Sequence, residues 1–401
     1  MEAVTIVTIK NKIPLYKGEE AANAIELIEL EEVGYELVAG KSLYQIGDKA
    51  VLIQPDYNLS DIVLFESFIR PINPNTGLPD ESMSKLGKTE GLPRRIRAKK
   101  FNLSKVPNGD PVYSNGILLP YNEVVSYIGS VILENVDLTS KLGITKYEEP
   151  EYTSKGGIKV GGTLKFPNGI YKTDEENVNN LWNHLENKIG YPITLVGTEK
   201  VDGSSITIGI TPEIPEGFIC SRNMRKKLTI SKWVGNYRNP TVWEWIKSLF
   251  GIIPDLKELE EVVNDDDFVR YGLPYLRVMQ EMGITNLILR GELNGGKLKG
   301  SGNKNNPASK LSANIKFFGM DRINEVGQSE KLPYVLLNRT NQKVCFDMVK
   351  EVFNKTFNSK EEILQECNQY FKENMIEGIV IRTLDSKFSA KVMNLEYDSK
   401  K

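Results

Sequence analysis

Cysteine and histidine are nearly absent from this sequence. Its 401 residues include three cysteines, Cys220, Cys345 and Cys367, and one histidine, His184. Three widely spaced cysteines offer neither a disulfide framework nor the paired spacing of a zinc site, and they fit a reducing compartment. A single histidine excludes a two-histidine metal site and argues against a Ser-His-Asp mechanism. No apolar run approaches the ~20 residues that a membrane helix needs, so no membrane partner is expected. The opening Met1-Glu2-Ala3-Val4 lacks the basic and apolar regions of a signal peptide, and a cytoplasmic location is expected, with a nuclear or viral setting left open.

A strong excess of charge of either sign is also missing. Lys and Arg number 51 against 53 Asp and Glu, for a net charge of −2. Residues 1–150 carry 16 basic and 21 acidic side chains, so neither part of the chain is globally basic. Nucleic-acid binding therefore has to come from local patches. One stands out: Arg94, Arg95, Arg97, Lys99 and Lys100 fall within seven residues. Read as a strand, this stretch puts Arg95, Arg97 and Lys99 on one face. The duller reading is a solvated basic edge that discourages aggregation.

Residues 1–145 read as β-rich. Short apolar runs at 3–9, 50–53, 62–68 and 116–119 are separated by Pro and Gly clusters, which suggests a small barrel or sandwich. Residues 146–170 read as a linker, with Gly156-Gly157 and Gly161-Gly162 between Pro150 and Pro167. In residues 171–401 strands and helices mix. Thr173 and Glu176 have capping-box spacing before Val178, Leu181, Trp182, Leu185 and Ile189, so a helix is expected to start after Thr173, with His184 on its wetter side. Strands are expected at 194–201, 205–210, 287–293, 315–320 and 378–383, and helices at 256–263, 275–282, 344–357 and 360–372. The two do not alternate, so α+β is preferred to a parallel α/β sheet.

The segment Glu199-Lys200-Val201-Asp202-Gly203 is the sharpest chemical feature. On an extended strand Lys200 and Asp202 point to the same side, and Gly203 lets the backbone approach a ligand. Alone, this is equally a surface pair before a hairpin turn, worth little. It is followed, in order, by Arg290-Gly-Glu292-Leu-Asn, Ile315-Lys-Phe317-Phe-Gly-Met-Asp, Ile376-Glu377-Gly-Ile-Val-Ile-Arg and Phe388-Ser-Ala-Lys391-Val-Met-Asn.

This ordered set resembles the motifs of the covalent nucleotidyltransferase superfamily, which contains ATP-dependent polynucleotide ligases and capping enzymes. Further stretches, among them Gly116-Ile-Leu-Leu-Pro, Leu142-Gly-Ile-Thr-Lys-Tyr-Glu-Glu-Pro, Phe166-Pro-Asn-Gly-Ile-Tyr-Lys-Thr-Asp-Glu and Ser221-Arg-Asn, narrow the resemblance to Naegleria-type RNA ligases, which carry an OB-type domain in front. Ten residues follow Lys391, so the trailing OB domain of DNA ligases and capping enzymes is not expected. The resemblance implies an N-terminal OB-like β-barrel, then an ATP-grasp-like nucleotidyltransferase domain of mixed or antiparallel sheets with flanking helices.

The resemblance also implies roles. Lys200 would attack the α-phosphate of ATP and become lysyl-AMP, with Lys391 on that phosphate. Asp202 and Glu377 would hold Mg2+ or Mn2+. Glu292 would bind the ribose, Phe317 would stack on adenine, Glu199 would help read the base edge, and Arg222 would lie near ribose or phosphates. RNA, or a nicked duplex containing it, would be the partner, with the Arg94–Lys100 patch on its phosphates. The mechanism needs no second copy, so a monomer is expected. One departure matters: a second lysine usually follows in the last motif, and here Met393 stands in its place. Two alternatives remain: a DNA ligase or capping-type enzyme, and a nucleic-acid-binding protein with a degenerate nucleotidyltransferase domain.

Overall fold

The computed structural model describes residues 3–129, 133–134, 136–147, 163–237, 241–249, 257–295, 310–344 and 346–400. Most of the expected linker lies outside them.

The N-terminal part is built on one long strand. β1 (Val4–Lys17) is rich in Val, Ile and Thr, and it serves two pairings along its length. Residues 4–8 pair with β4 (Lys49–Ile53), and residues 9–17 pair with β2 (Glu20–Leu30), which pairs in turn with β3 (Glu36–Gly40). Register shifts at Ile9/Asn11 and Pro14/Tyr16 bend the strand between its partners; Pro14 sits where the ladder is already interrupted. β5 (Lys99–Ser104) pairs with β1 and with β6 (Pro111–Ser114), and β7 (Ile117–Pro120) pairs with β4.

The sheet wraps round on itself. Asn115 N donates to Glu36 O at 3.0 Å, and Val38 N donates to Ser114 Oγ at 3.1 Å. Among the described residues no continuous ladder closes the wrap, so the expected barrel is an open, coiled sheet. Two local expectations also change. Residues 62–68 form a 3-10 turn and the helical turn Glu66–Ile69, because they bury only Phe65 and Ile69 rather than alternate positions. The basic stretch is not one strand: Leu92–Arg95 ends before β5, and Ile96 and Ala98 turn inward between them.

The C-terminal part is built on two antiparallel sheets facing each other, with a separate two-stranded sheet formed by Thr229–Tyr237 and Lys257–Val263. The larger runs in the order β8 (Thr163–Lys165), β12 (Met224–Lys226), β11 (Ile214–Cys220), β10 (Ser204–Thr211), β13 (Leu287–Asn294), β14 (Asn314–Ile323), β15 (Ser329–Lys331). The smaller has β9 (Ile193–Lys200) and β17 (Gly378–Arg382) at its centre, flanked by β16 (Glu351–Phe357) and β18 (Ser389–Met393). Every residue of β17 is buried, as expected of a central strand covered on both faces.

Helices pack against both sheets. α1 (Asp267–Glu281), capped by Asp266 accepting from Phe268 N, and α2 (Tyr334–Val344) cover the larger sheet over a core of Ile206, Ile208, Leu289, Ile315 and Phe317. α3 (Lys360–Glu373) starts at Ser359, whose hydroxyl accepts from Glu362 N. With Val178, Trp182 and Leu185 it covers the smaller sheet. A last short helix, α4 (Leu395–Lys400), follows β18 directly.

The α+β class is borne out, as are the five strands expected between 194 and 383 and the helix at 360–372. Residues 257–263 form a strand paired with Thr229–Tyr237 rather than a helix, and 351–357 are β16, with the preceding helix ending at Val344. Thr173 caps nothing; the chain stays extended to Asn177, whose side chain caps a 3-10 turn at Val178–Asn180. His184 is exposed, as expected.

Candidate active site

Strand alternation sorts β9 into two sets. Leu195 and Glu199 point towards α3, while Val196, Thr198 and Lys200 point into the cleft between the sheets. The Glu199 carboxylate accepts from Tyr370 of α3 at 2.6 Å and lies 3.7 Å from Lys350. This corrects the expectation that Glu199 reads a base edge: its side chain is on the far side of the sheet from Lys200.

Lys200 ends β9 at the mouth of the cleft. Its register partner on β17 is Gly378, which places the preceding residue, Glu377, beside it; Lys200 Nζ and Glu377 Oε2 are 2.5 Å apart. The chain then turns through Gly203, where an added Cβ would come within 2.5 Å of Leu293 O. That close approach brings β10 against β13, and Asp202 is buried beneath the turn, accepting from Tyr397 Oη at 2.7 Å.

Glu292 lies on β13, opposite Ser205. Its pKa is raised to about 8, first by burial and then by the nearby carboxylates of Glu377 and Asp202, with Lys200 and Arg222 pulling the other way. The site is thus short of positive charge. Among the described residues no group of three or more His, Cys, Asp and Glu could hold a metal ion unaided. Asp202 and Glu377 fit a hard divalent cation that takes its remaining oxygens from water or phosphate.

Lys391 lies on β18 opposite Val380 of β17, one row further in than Lys200. Its Nζ is 3.6 Å from Asp174, which also lies 3.7 Å from Arg222 and is bonded to Lys146. Burial works against ionisation of Asp174, but Lys391, Lys146 and Arg222 hold its carboxyl below the ordinary range. Three cations converge on one carboxylate, as they could on a phosphate.

Asp174 belongs to an extended strap that crosses the cleft and is bonded to both sheets. Thr173 Oγ1 meets Ser205 Oγ at 2.8 Å, Glu175 pairs with Lys331 at 3.0 Å, and Lys391 N donates to Glu176 O at 2.8 Å. Beneath it lies a cavity of about 130 Å³, lined by Thr173, Asp174, Arg290, Phe318 and Arg382 among others. Two buried arginines organise its walls. Arg290 donates twice to Asp321 Oδ2, at 2.9 and 2.6 Å, and once to Thr207. Arg382 donates to Phe318 O at 2.6 Å and to Thr198 Oγ1 at 3.3 Å, tying one sheet to the other.

The aromatic assignment changes. Phe317 is fully buried in the core, edge-on to Tyr275 at 4.9 Å and beside Phe346 at 5.3 Å. A ring without accessible surface cannot stack on a base. Phe318, the next residue, lines the cavity.

The basic patch is also divided. Arg95 is committed to Asp56 at 2.7 Å and to the Tyr147 ring at 3.9 Å, and Arg97 packs against Gly87. Lys99 lies over Phe101 and Lys100 over Tyr113, and Arg94 is half-buried. The expected single basic strand face is therefore not formed.

The structure brings together Lys200, Asp202, Arg222, Glu292, Glu377 and Lys391, and excludes the side chains of Glu199 and Phe317. It adds Asp174, Phe318, Arg382 and Tyr397. Asp174 was within reach, since it lies in the Phe166–Glu175 stretch that carried part of the resemblance; nothing in the sequence marks Tyr397.

The C-terminal part thus sets two antiparallel sheets face to face in an α+β fold, with Lys200 at the end of β9 and Lys391 on β18, two strands away in the same sheet. Among solved structures, those of Naegleria gruberi RNA ligase have a similar fold over the whole length of the chain. A lysine-to-methionine variant with AMP and Mn is 22% identical, with a TM-score of 0.66 over 100% of this chain and 99% of that one. The enzyme with PPi is 21% identical, with a TM-score of 0.65 over 99% and 98% of the two chains. An arginine-to-alanine variant with ATP and Mn gives 22% and 0.65, again over 99% and 98%. No protein-family model and no curated protein matches the chain. No helix among the described residues is long and apolar enough to cross a membrane.

Proposed function

We propose that this protein is an ATP-dependent RNA ligase that joins 3′-hydroxyl and 5′-phosphate ends through a lysyl-AMP intermediate. The observation that carries the reading is the convergence of Lys200, Glu377, Asp202 and Glu292 at one end of the cleft, with Lys391 and Arg222 gathered on Asp174, in a fold shared over its full length with an RNA ligase.

Lys200 has to be a neutral amine to attack, and a free lysine has a pKa of about 10.4. The pair with Glu377 favours the charged amine; a divalent cation engaging Glu377, together with the charge of Lys391, would favour the neutral amine and release its proton to solvent. Nζ then attacks the α-phosphorus: the P–N bond forms, the bond to the β-phosphate oxygen breaks, and pyrophosphate leaves with the electron pair. In the second step a 5′-phosphate oxygen of the RNA attacks the same phosphorus and Lys200 leaves. In the third, the 3′-hydroxyl attacks the 5′-phosphate and AMP leaves. Lys391 and Arg222 would exchange Asp174 for phosphate oxygens, stabilising the charge that develops there. A divalent cation held with Asp202 and Glu377 would add positive charge at the same oxygens. Phe318 would stack on the base, and Glu292 would meet the ribose hydroxyls.

RNA would lie across residues 1–145, with Lys99 and Lys100 on phosphates and Phe101 and Tyr113 beside them. A nicked duplex is the substrate expected. The second reading, a binding protein with an inactive nucleotidyltransferase domain, has Met393 in its favour. Sealing assays on nicked duplexes, with RNA or DNA on the 3′-hydroxyl side and ATP or GTP as cofactor, test the proposal. Sealing with ATP and an RNA 3′ end supports it; nick binding without sealing supports the second reading.

A further inference from the structure

The turn and helix after β18 hold the backbone at Glu377 and the carboxylate of Asp202, the two residues assigned to the metal. Asn394 grips the backbone around Glu377: its N donates to Glu377 O at 2.9 Å and its Nδ2 to Ile376 O at 3.0 Å. The Oδ1 of Asn394 accepts from Glu396 N at 3.2 Å and Tyr397 N at 3.3 Å, so the same side chain starts α4. One turn on, Tyr397 is 1% exposed, and its hydroxyl donates to Asp202 Oδ2 at 2.7 Å. The next residue, Asp398, accepts from Ala98 N at 2.9 Å, and Glu396 lies 4.0 Å from Lys100. Ala98 sits in the middle of the basic stretch of the N-terminal part. In this structure the chain passes without a break from that stretch, through α4, to Asp202 and Glu377.

We propose that Tyr397 is a positioning residue for metal binding, fixing the Asp202 carboxylate, and that the docking of α4 on Ala98 makes this position depend on the N-terminal part. The inference rests on the ligase reading and deepens it. A buried carboxylate that accepts from a buried phenol is held in one orientation, the orientation a cation or its water shell meets. Without the phenol, Asp202 loses one of the contacts that set its orientation before binding. Removal of such a supporting hydrogen bond weakens metal affinity by about 10-fold or more. Because Tyr397 touches neither substrate nor cation, the rate at saturating metal should change far less than the metal concentration needed to reach it.

The test uses the full chain and Mn2+ as probe. The free Mn2+ signal in electron paramagnetic resonance gives the dissociation constant for wild type, Tyr397→Phe and Asp398→Ala, with melting temperature and the Mn2+ dependence of labelled-AMP transfer measured in parallel. The expected result is a dissociation constant raised about 10-fold in Tyr397→Phe, a near-normal rate at saturating Mn2+, and a smaller shift in the same direction in Asp398→Ala. An unchanged dissociation constant in Tyr397→Phe, whatever happens to its melting temperature, overturns the positioning role. Should that variant not fold, unchanged Mn2+ affinity in Asp398→Ala overturns the proposal instead. A wild type that takes up label, with both variants matching its Mn2+ dissociation constant, would refute this inference alone; a wild type that takes up none would refute the ligase reading beneath it.

Discussion

Met393 stands in register with Lys200, one strand removed. Gly378 pairs with Lys200 on one side and with Met393 on the other, so all three positions share the face that looks into the cleft. Gly378 carries no side chain to separate them, and a Cβ there would come within 2.5 Å of Val392 O. The place of a second last-motif lysine is thus beside the proposed nucleophile and is filled by a thioether. Met393→Lys should increase the rate of labelled-AMP transfer, by about 5-fold if the new cation contributes ~1 kcal/mol to the charge developing on phosphorus. The initial rate of adduct formation from α-labelled ATP checks this. A decrease would show that this fold has moved its second phosphate contact elsewhere.

Phe317 and Phe318 should separate cleanly. Phe317→Ala empties an aromatic core site and should cost ~3–5 kcal/mol of stability. Phe318→Ala should leave the urea midpoint nearly unchanged and raise the KM for ATP about 10-fold through lost base stacking. Denaturation curves and ATP titrations on both variants decide; the opposite pattern would return Phe317 to the base.

Glu292 gives the protein a pH dependence of known sign. Its folded pKa of about 8 lies above the ordinary glutamate value. Between about pH 4.5 and about pH 8 the folded chain keeps a proton that the unfolded chain sheds, so stability falls as pH rises through that window and levels off above it. Glu292→Gln lacks this loss. In metal-free buffer its melting temperature should exceed that of wild type at about pH 8, and the difference should shrink towards about pH 5. A difference that does not vary with pH would show that Glu292 is ionised in the folded protein.

Arg290 and Asp321 form a buried pair on adjacent strands. Asp321→Ala strands a buried guanidinium and should cost ~3–5 kcal/mol, whereas an apolar replacement of both partners should recover much of that. Urea unfolding of the single and double variants measures the difference.

Much of the site was legible because its chemistry is carried by short strand-borne segments, each with its own residue types. Lys200, Glu292, Glu377 and Lys391 could be found without knowing how the sheets meet. Phe317 was misassigned because alternation fails at that point. Gly291 pairs with Phe317 and Arg290 with Gly319, so Phe318 is an extra residue that shifts the phase of β14 by one. Residues 257–261 are good helix formers, yet with Val262 and Val263 they pair along Thr229–Tyr237, and this pairing outweighs their local propensity. Tyr397 lies in no motif and far in sequence from Asp202, so only the fold joins them. Thr173 lost its capping role because its hydroxyl bonds Ser205 across the cleft instead.

The most direct test of the account is intact-protein mass spectrometry after incubation with ATP and Mn2+, with Lys200→Ala and Lys391→Ala alongside. The account predicts that wild type gains the mass of one adenylate, that fragmentation places it on Lys200, that Lys200→Ala gains nothing, and that Lys391→Ala gains far less. A folded wild type that starts free of adenylate and gains none, or an adenylate carried on another residue, would contradict it.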